Sequence, residues 1–170
     1  MLFMIEFMVI GYPRSATTWT ANWLTTDTTQ CLHDPLYQYH YSDLDNIKSS
    51  KVIGLSCTGL WNFHNWVNLH PARKVILHRD FKEVNNSLNE IGLPSLSKNS
   101  YQKLDQIVGI HIDYEDIFNN PKNIYEYLLQ KSFDEERHKL LKDMFIQPVF
   151  DEIKVNHHAT KKLLEELRGI

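Results

Sequence analysis

Arg14, Ser15, Thr17 and Thr18 stand within five residues, directly after a short apolar run and directly before a helical pattern. Such a junction presents backbone N–H groups and the positive end of a helix to an anion. The hydroxyls add donors, and the guanidinium of Arg14 adds a permanent, forked charge that matches phosphate oxygens. Ser15 alone would be an ordinary helix cap, but an arginine inside the loop has no capping role. A Walker A loop would carry glycine and lysine where Ala16 and Thr17 stand. Without the lysine that reaches the β- and γ-phosphates, ordinary ATP or GTP hydrolysis is not expected. A second basic residue, Arg79, closes another apolar run, and Ser87 follows eight residues later, about two helical turns on.

The elements that must position these residues alternate along the chain. Phe7–Ile10, Lys51–Ser56, Lys74–His78 and Gly109–Asp113 read as short, mostly apolar strands buried on both faces. Helical patterns occupy Thr17 to about Thr25, Leu60–Leu69, Lys82–Ile91 and Asn99–Gln106. Pro121 suits the first turn of a helix reaching about Lys131. Asp134 suits the cap of another through Met144, and Ala159–Leu167 forms a last amphipathic stretch. This order predicts one α/β domain over residues 1–170, with a parallel sheet and helices on both faces. Ligands in such sheets bind beyond the carboxyl ends of the strands, where Arg14 and Arg79 both fall.

Composition narrows the function classes. Eighteen Lys and Arg against 21 Asp and Glu leave a net charge of −3, and the pI is near 6.3. Bulk attraction to nucleic acid or to an anionic membrane needs a basic surface and is not expected. The apolar start, Met1 to Ile10, is broken by Glu6 and is too short to span a bilayer. Cys31 and Cys57 cannot form a disulfide framework, which points to a cytoplasmic setting. His157 and His158 lack companions at ligand spacing, so they read as a solvated loop with no metal.

The run Tyr12-Pro-Arg-Ser-Ala-Thr-Thr-Trp19 resembles the 5′-phosphosulfate loop of the sulfotransferases, with Ala16 in place of the usual glycine. Arg79, Asp80 and Ser87 are similar to that family's 3′-phosphate motif, with Phe81 in place of proline. Ile112–Ile117 resembles a later acidic segment of the family, whose carboxylates would cap and tie strand to helix. The resemblance implies a three-layer P-loop NTPase-like domain with a four- to five-stranded parallel sheet and a helical C-terminal tail. It implies 3′-phosphoadenosine 5′-phosphosulfate (PAPS) as co-substrate, no metal, and an acceptor bearing a hydroxyl or amine. Arg14, Ser15, Ala16, Thr17, Thr18, Trp19, Arg79 and Ser87 would hold the donor, Trp19 by stacking on its adenine.

Sulfuryl transfer also needs a proton acceptor and positive charge on the departing oxygen. Arg14 would supply the charge. The strand histidine of the cytosolic sulfotransferases has no counterpart, because counting back from Arg79 reaches Cys57. In the tyrosylprotein branch a carboxylate about 20 residues past the loop proline takes the role, and that count reaches His33 and Asp34. Asp34 is the first choice of base and His33 the second, as its partner; a simple Asp-Pro turn is the alternative. Trp61, Phe63 and Trp66, with Tyr37, Tyr39 and Tyr41, form either core or an acceptor cleft. Two rival functions share the fold: a nucleoside or nucleotide kinase, which would need the missing lysine, and a nucleotide-binding module without turnover.

Overall fold

The computed structural model describes residues 5–144 and 155–169. Its centre is β1 (Ile5–Gly11), an apolar strand whose side chains alternate between two faces. Phe7 and Val9 pack into one core with Val75 and Leu77, and Met8 and Ile10 pack into the other with Ile53, Leu55 and Ile76. Four strands join β1: β2 (Thr29–His33), β3 (Val52–Cys57), β4 (Arg73–His78) and β5 (Ile110–Asp113). All pairings are parallel and the order is β2-β3-β1-β4-β5. This is the expected α/β architecture with a parallel sheet, and five strands rather than the four read directly from apolar runs.

The strand missed was β2. Its residues Thr-Gln-Cys-Leu-His hold no apolar run, and the strand pairs only with β3 and exposes Gln30.

Helices cover both faces. The Phe7 face carries α1 (Thr17–Leu24), α5 (Asp116–Asn119), α6 (Pro121–Leu129) and α7 (Glu135–Lys142). The Met8 face carries α2 (His64–Leu69), α3 (Phe81–Glu90) and α4 (Lys98–Asp105). A last helix, α8 (His157–Arg168), packs on the 3₁₀ turn Pro35–Tyr37. The helix read over Leu60–Leu69 begins instead as a 3₁₀ turn, Leu60–Phe63, before α2. His157 and His158 are exposed, but they form the first turn of α8 under an Asn156 cap rather than a loop. The carboxylates of the Ile112–Ile117 segment do not cap α5, whose N-cap Glu115 makes no side-chain capping bond. Among the described residues no helix is long and apolar enough to cross a membrane.

Two features of β3 set the seat of α1. Gly54 lies against the Phe7 ring, where an added Cβ would come within 1.9 Å of a ring carbon. Ser56, fully buried, donates from Oγ to the carbonyl of Thr17 at 2.7 Å and so pins the first turn of α1 to the sheet. β1 runs on toward β2 and β4 toward β5, in opposite directions along the sheet, which opens a crevice at the carboxyl ends of the adjacent β1 and β4.

Candidate functional site

The chain leaves β1 at Gly11 and enters α1 at Thr17 through a tight turn, with Ser15 N–H donating to Tyr12 O at 3.2 Å. Arg14 (φ 68°) and Ala16 (φ 59°) are both left-handed, flanking Ser15. For a residue with a Cβ that conformation costs about 1–2 kcal/mol. Glycine would adopt the left-handed conformation of Ala16 without that cost. Turns of this kind gather backbone N–H groups into an anion-binding concavity. Ala16 brings no side-chain cap, and the Ser15 hydroxyl is buried without a partner among the described residues.

Arg14 Nε donates to Ser87 Oγ on α3 at 2.9 Å, across 73 residues of sequence. Arg79, just past β4, donates from Nη1 to the carbonyl oxygen of Arg14. The two motifs, far apart in sequence, therefore meet on the same turn, with Arg14 between Ser87 and Arg79. Arg79 is further held by Glu83 at 3.3 Å and by the Tyr114 ring, 4.8 Å from its guanidinium carbon. Asp80 accepts from the backbone N–H groups of Lys82 and Glu83 and caps α3, which places Phe81 at the first helical position, where proline would also fit. A cavity of about 480 Å³ opens beside Arg79, with Tyr101 and Tyr114 in its wall. Tyr101 stacks on Tyr12, and its hydroxyl is buried with no partner among the described residues. Asp80, Glu83, Asp113 and Glu115 also line this cavity, so its cationic character is confined to Arg79.

The second cluster lies at the end of β2. His33 Nε2 is 3.1 Å from Thr18 Oγ1 and 3.4 Å from Thr17 Oγ1, which brings the imidazole onto the loop hydroxyls. The same nitrogen is 3.3 Å from Asp34 Oδ2. Asp34 is itself left-handed (φ 43°) and accepts a 2.5 Å bond from the backbone N–H of Thr58 through Oδ1. Burial, and then the Asp34 charge, push the Cys57 thiol well up; the same two causes raise Tyr37. Of the two sequence candidates for a base, the one facing the loop is His33, while Asp34 ties it to the end of β3. Cys57, fully buried, stays a protonated thiol.

Trp19 is not placed to stack on a base. It is 4% exposed, donates from Nε1 to Leu141 O at 2.8 Å, and packs against Trp23, Phe118 and His138. The aromatic cluster divides in the same way. Trp61 and Phe63 are core, Tyr41 lies between Phe63 and Trp66, and Tyr37 and Tyr39 are exposed. Only Phe63 and Tyr37 of that set line a cavity beside Asp34. The sequence reading did not single out Ser56, Tyr101 or Thr160. Ser56 had one available signal, a hydroxyl inside an apolar strand; the other two had none. No family model matches the chain, and no curated protein does.

Proposed function

We propose that the chain is a sulfotransferase that uses PAPS to sulfate a hydroxyl acceptor. One observation carries the reading. Arg14, Arg79 and Ser87, from two distant motifs, converge at the carboxyl ends of β1 and β4 on a turn that lacks the Walker lysine. The donor set fits a doubly phosphorylated nucleotide: two guanidinium groups, the N-terminus of α1, and the orphaned hydroxyl of Ser15.

When bound, PAPS supplies the sulfuryl group, whose bridging S–O bond breaks with its electron pair on departing 3′,5′-ADP as the acceptor oxygen bonds sulfur. Arg14 and the first turn of α1 oppose the charge on the departing oxygen. His33 Nε2 takes the acceptor's proton. Asp34, 3.3 Å from that nitrogen, stabilises the imidazolium so formed. Thr17 and Thr18 hold the imidazole at the loop.

A second reading, a nucleotide-binding module without turnover, draws on Asp34, whose Oδ1 is already committed to Thr58 N–H. Thermal unfolding with added nucleotides tests the first reading. 3′,5′-ADP should raise the melting temperature more than 5′-AMP, since a charge-assisted contact to the 3′-phosphate is worth about 1.5–3 kcal/mol. That corresponds to about tenfold or more in affinity. Equal shifts from the two nucleotides, or a larger shift from ATP with magnesium, would overturn it. Strong 3′,5′-ADP binding with no sulfation across an acceptor panel favours the second reading.

A further inference from the structure

The cavity beside Asp34 has a volume of about 210 Å³ and lies between α8 and the ends of β2 and β3. Leu36, Phe63, Leu163 and Leu167 give it an apolar wall. Among the described residues that line it there is no lysine or arginine, and Asp34 is the one carboxylate. The charge of that carboxylate reaches across the space. After burial, it is the next cause that pushes up the Cys57 thiol and the Tyr37 hydroxyl, and both residues line the cavity. The lining includes neither His33 nor any residue of the turn between β1 and α1, which sets the cavity apart from the proposed reacting centre.

The helix that closes the cavity is clasped from outside. Glu166 accepts from Tyr41 Oη and from His40 Nε2 at 2.9 Å, and Asn156 N–H donates to Tyr37 O at 2.7 Å. These bonds hold α8 with Ala159 and Leu163 buried beneath it. The apolar wall is therefore in place before any ligand enters.

We infer that this cavity binds a small organic ammonium as an effector, a primary amine on a hydrocarbon body of about one fused bicyclic ring. The side chain of Asp34 is only 12% exposed, so folding has already stripped its carboxylate of most water. A cation placed beside it restores what the lost water no longer supplies. Thr58, Asn62 and Thr160 also line the cavity and offer oxygens to the remaining N–H groups of the ammonium. Thr160 Oγ1 is buried with no partner among the described residues. Calcium or magnesium fits less well, because each takes about six or more oxygen ligands and these walls are mostly leucine and phenylalanine. An anionic ligand meets Asp34 with no cation to offset it. Occupancy has a consequence at the loop. Asp34 Oδ1 is held by Thr58 N–H, so the ammonium competes with His33 Nε2 for Oδ2, now 3.3 Å from that nitrogen. The ligand acts on the partnership of His33 and Asp34 without being a substrate, and its binding does not depend on sulfuryl transfer.

Calorimetric titration of the full chain with 2-naphthylmethylamine, 2-naphthylmethanol and 2-naphthoate tests this. The amine should bind about tenfold tighter than the alcohol, the share of one charge-assisted contact, and naphthoate should bind weakest. Asp34→Asn keeps the Thr58 bond and the left-handed backbone, and should bring amine and alcohol to within about twofold of each other. Leu164→Lys, at a lining position 45% exposed, puts a cation at the cavity and should weaken the amine about tenfold while sparing the alcohol. His33→Ala removes the competitor for Oδ2 and should tighten the amine about threefold. Amine binding no tighter than that of the alcohol, a preference that survives Asp34→Asn, or indifference of the amine to Leu164→Lys or to His33→Ala would overturn the inference. The nucleotide shifts keep the two readings apart. Stabilisation by 3′,5′-ADP without a preference for the amine sinks the effector site alone. Amine binding with these preferences but no 3′,5′-ADP binding keeps the site and sinks sulfuryl transfer.

Discussion

His33 Nε2 has three oxygens within 3.4 Å: two threonine hydroxyls and the Asp34 carboxylate. A single ring nitrogen can accept from a hydroxyl or donate to a carboxylate, but not both in one protonation state. The same atom therefore has a natural partner before and after it takes up a proton, which is what a general base needs. Asp34 is less suited to that task because Thr58 N–H already occupies Oδ1. His33→Gln should lower turnover by about 10²–10⁴-fold. Asp34→Asn should cost less, since the amide keeps the Thr58 bond and tolerates the left-handed backbone. Binding of 3′,5′-ADP, measured by calorimetry, should stay within about twofold of the parent in both. A larger loss from Asp34→Asn than from His33→Gln would return the role of base to the carboxylate.

The turn between β1 and α1 combines two left-handed residues with a buried, unpartnered hydroxyl. Such strain persists only where the surroundings enforce it, here Ser56 on the carbonyl of Thr17 and Arg79 on the carbonyl of Arg14. At Ala16 the left-handed cost of about 1–2 kcal/mol exceeds the extra chain entropy that glycine loses on folding, about 0.5–1 kcal/mol. Ala16→Gly should therefore stabilise the protein by about 0.5–1 kcal/mol in urea unfolding, with 3′,5′-ADP binding retained. A destabilised variant would mean that the alanine methyl makes a contact worth more than the strain. At the start of α3, Phe81 serves as well as a proline would. The first helical position needs only a residue whose N–H is dispensable or capped, and Asp80 caps α3.

Acid should destabilise the whole molecule over two successive pH ranges. His70 is 3% exposed, and its Nδ1 accepts from Ala72 N–H at 3.1 Å while Nε2 faces Asp45 at 3.1 Å. That arrangement holds the neutral ring, and burial lowers its pKa below the usual 6.5. His78 is lowered likewise, first by burial and then by His111, whose Nδ1 is 2.7 Å from its Nε2, although Asp105 and Asp113 act the other way. A histidine with a lowered folded-state pKa takes up its proton more readily in the unfolded chain. Stability is then fully present above pH about 6.5 and falls as pH drops below it. Glu166 is held below the usual carboxylate range, first by the Tyr41 hydrogen bond, so its contribution is lost only at lower pH. The melting temperature should therefore decline between pH 7 and 5.5, and less steeply in His78→Gln. A flat or rising profile over that interval would refute this account.

How much of this was legible depends on the range of the interactions involved. The strand, turn and first helix, with Arg14 and the hydroxyls in order, follow from adjacent residues, because a strand–turn–helix junction is local chemistry. The parallel sheet follows from runs such as Val75–Leu77, apolar on both faces because helices cover both. The strand β2 was invisible because Thr29, Gln30 and His33 leave only Cys31 and Leu32 as an apolar pair. Residues 33 and 34 were legible as a pair, but not which one faces the loop. That is decided by the left-handed turn at Asp34 and by Thr58, 24 residues on, which draws the carboxylate toward β3. Trp19 was drawn into the core by α5 and α7, more than 90 residues away in sequence. The clasp of α8 by Tyr41 and His40 spans 125 and 126 residues. A hydrogen bond carries no periodicity that announces its partner at such a distance. Which residues are chemically able is local; which of them meet is settled by packing.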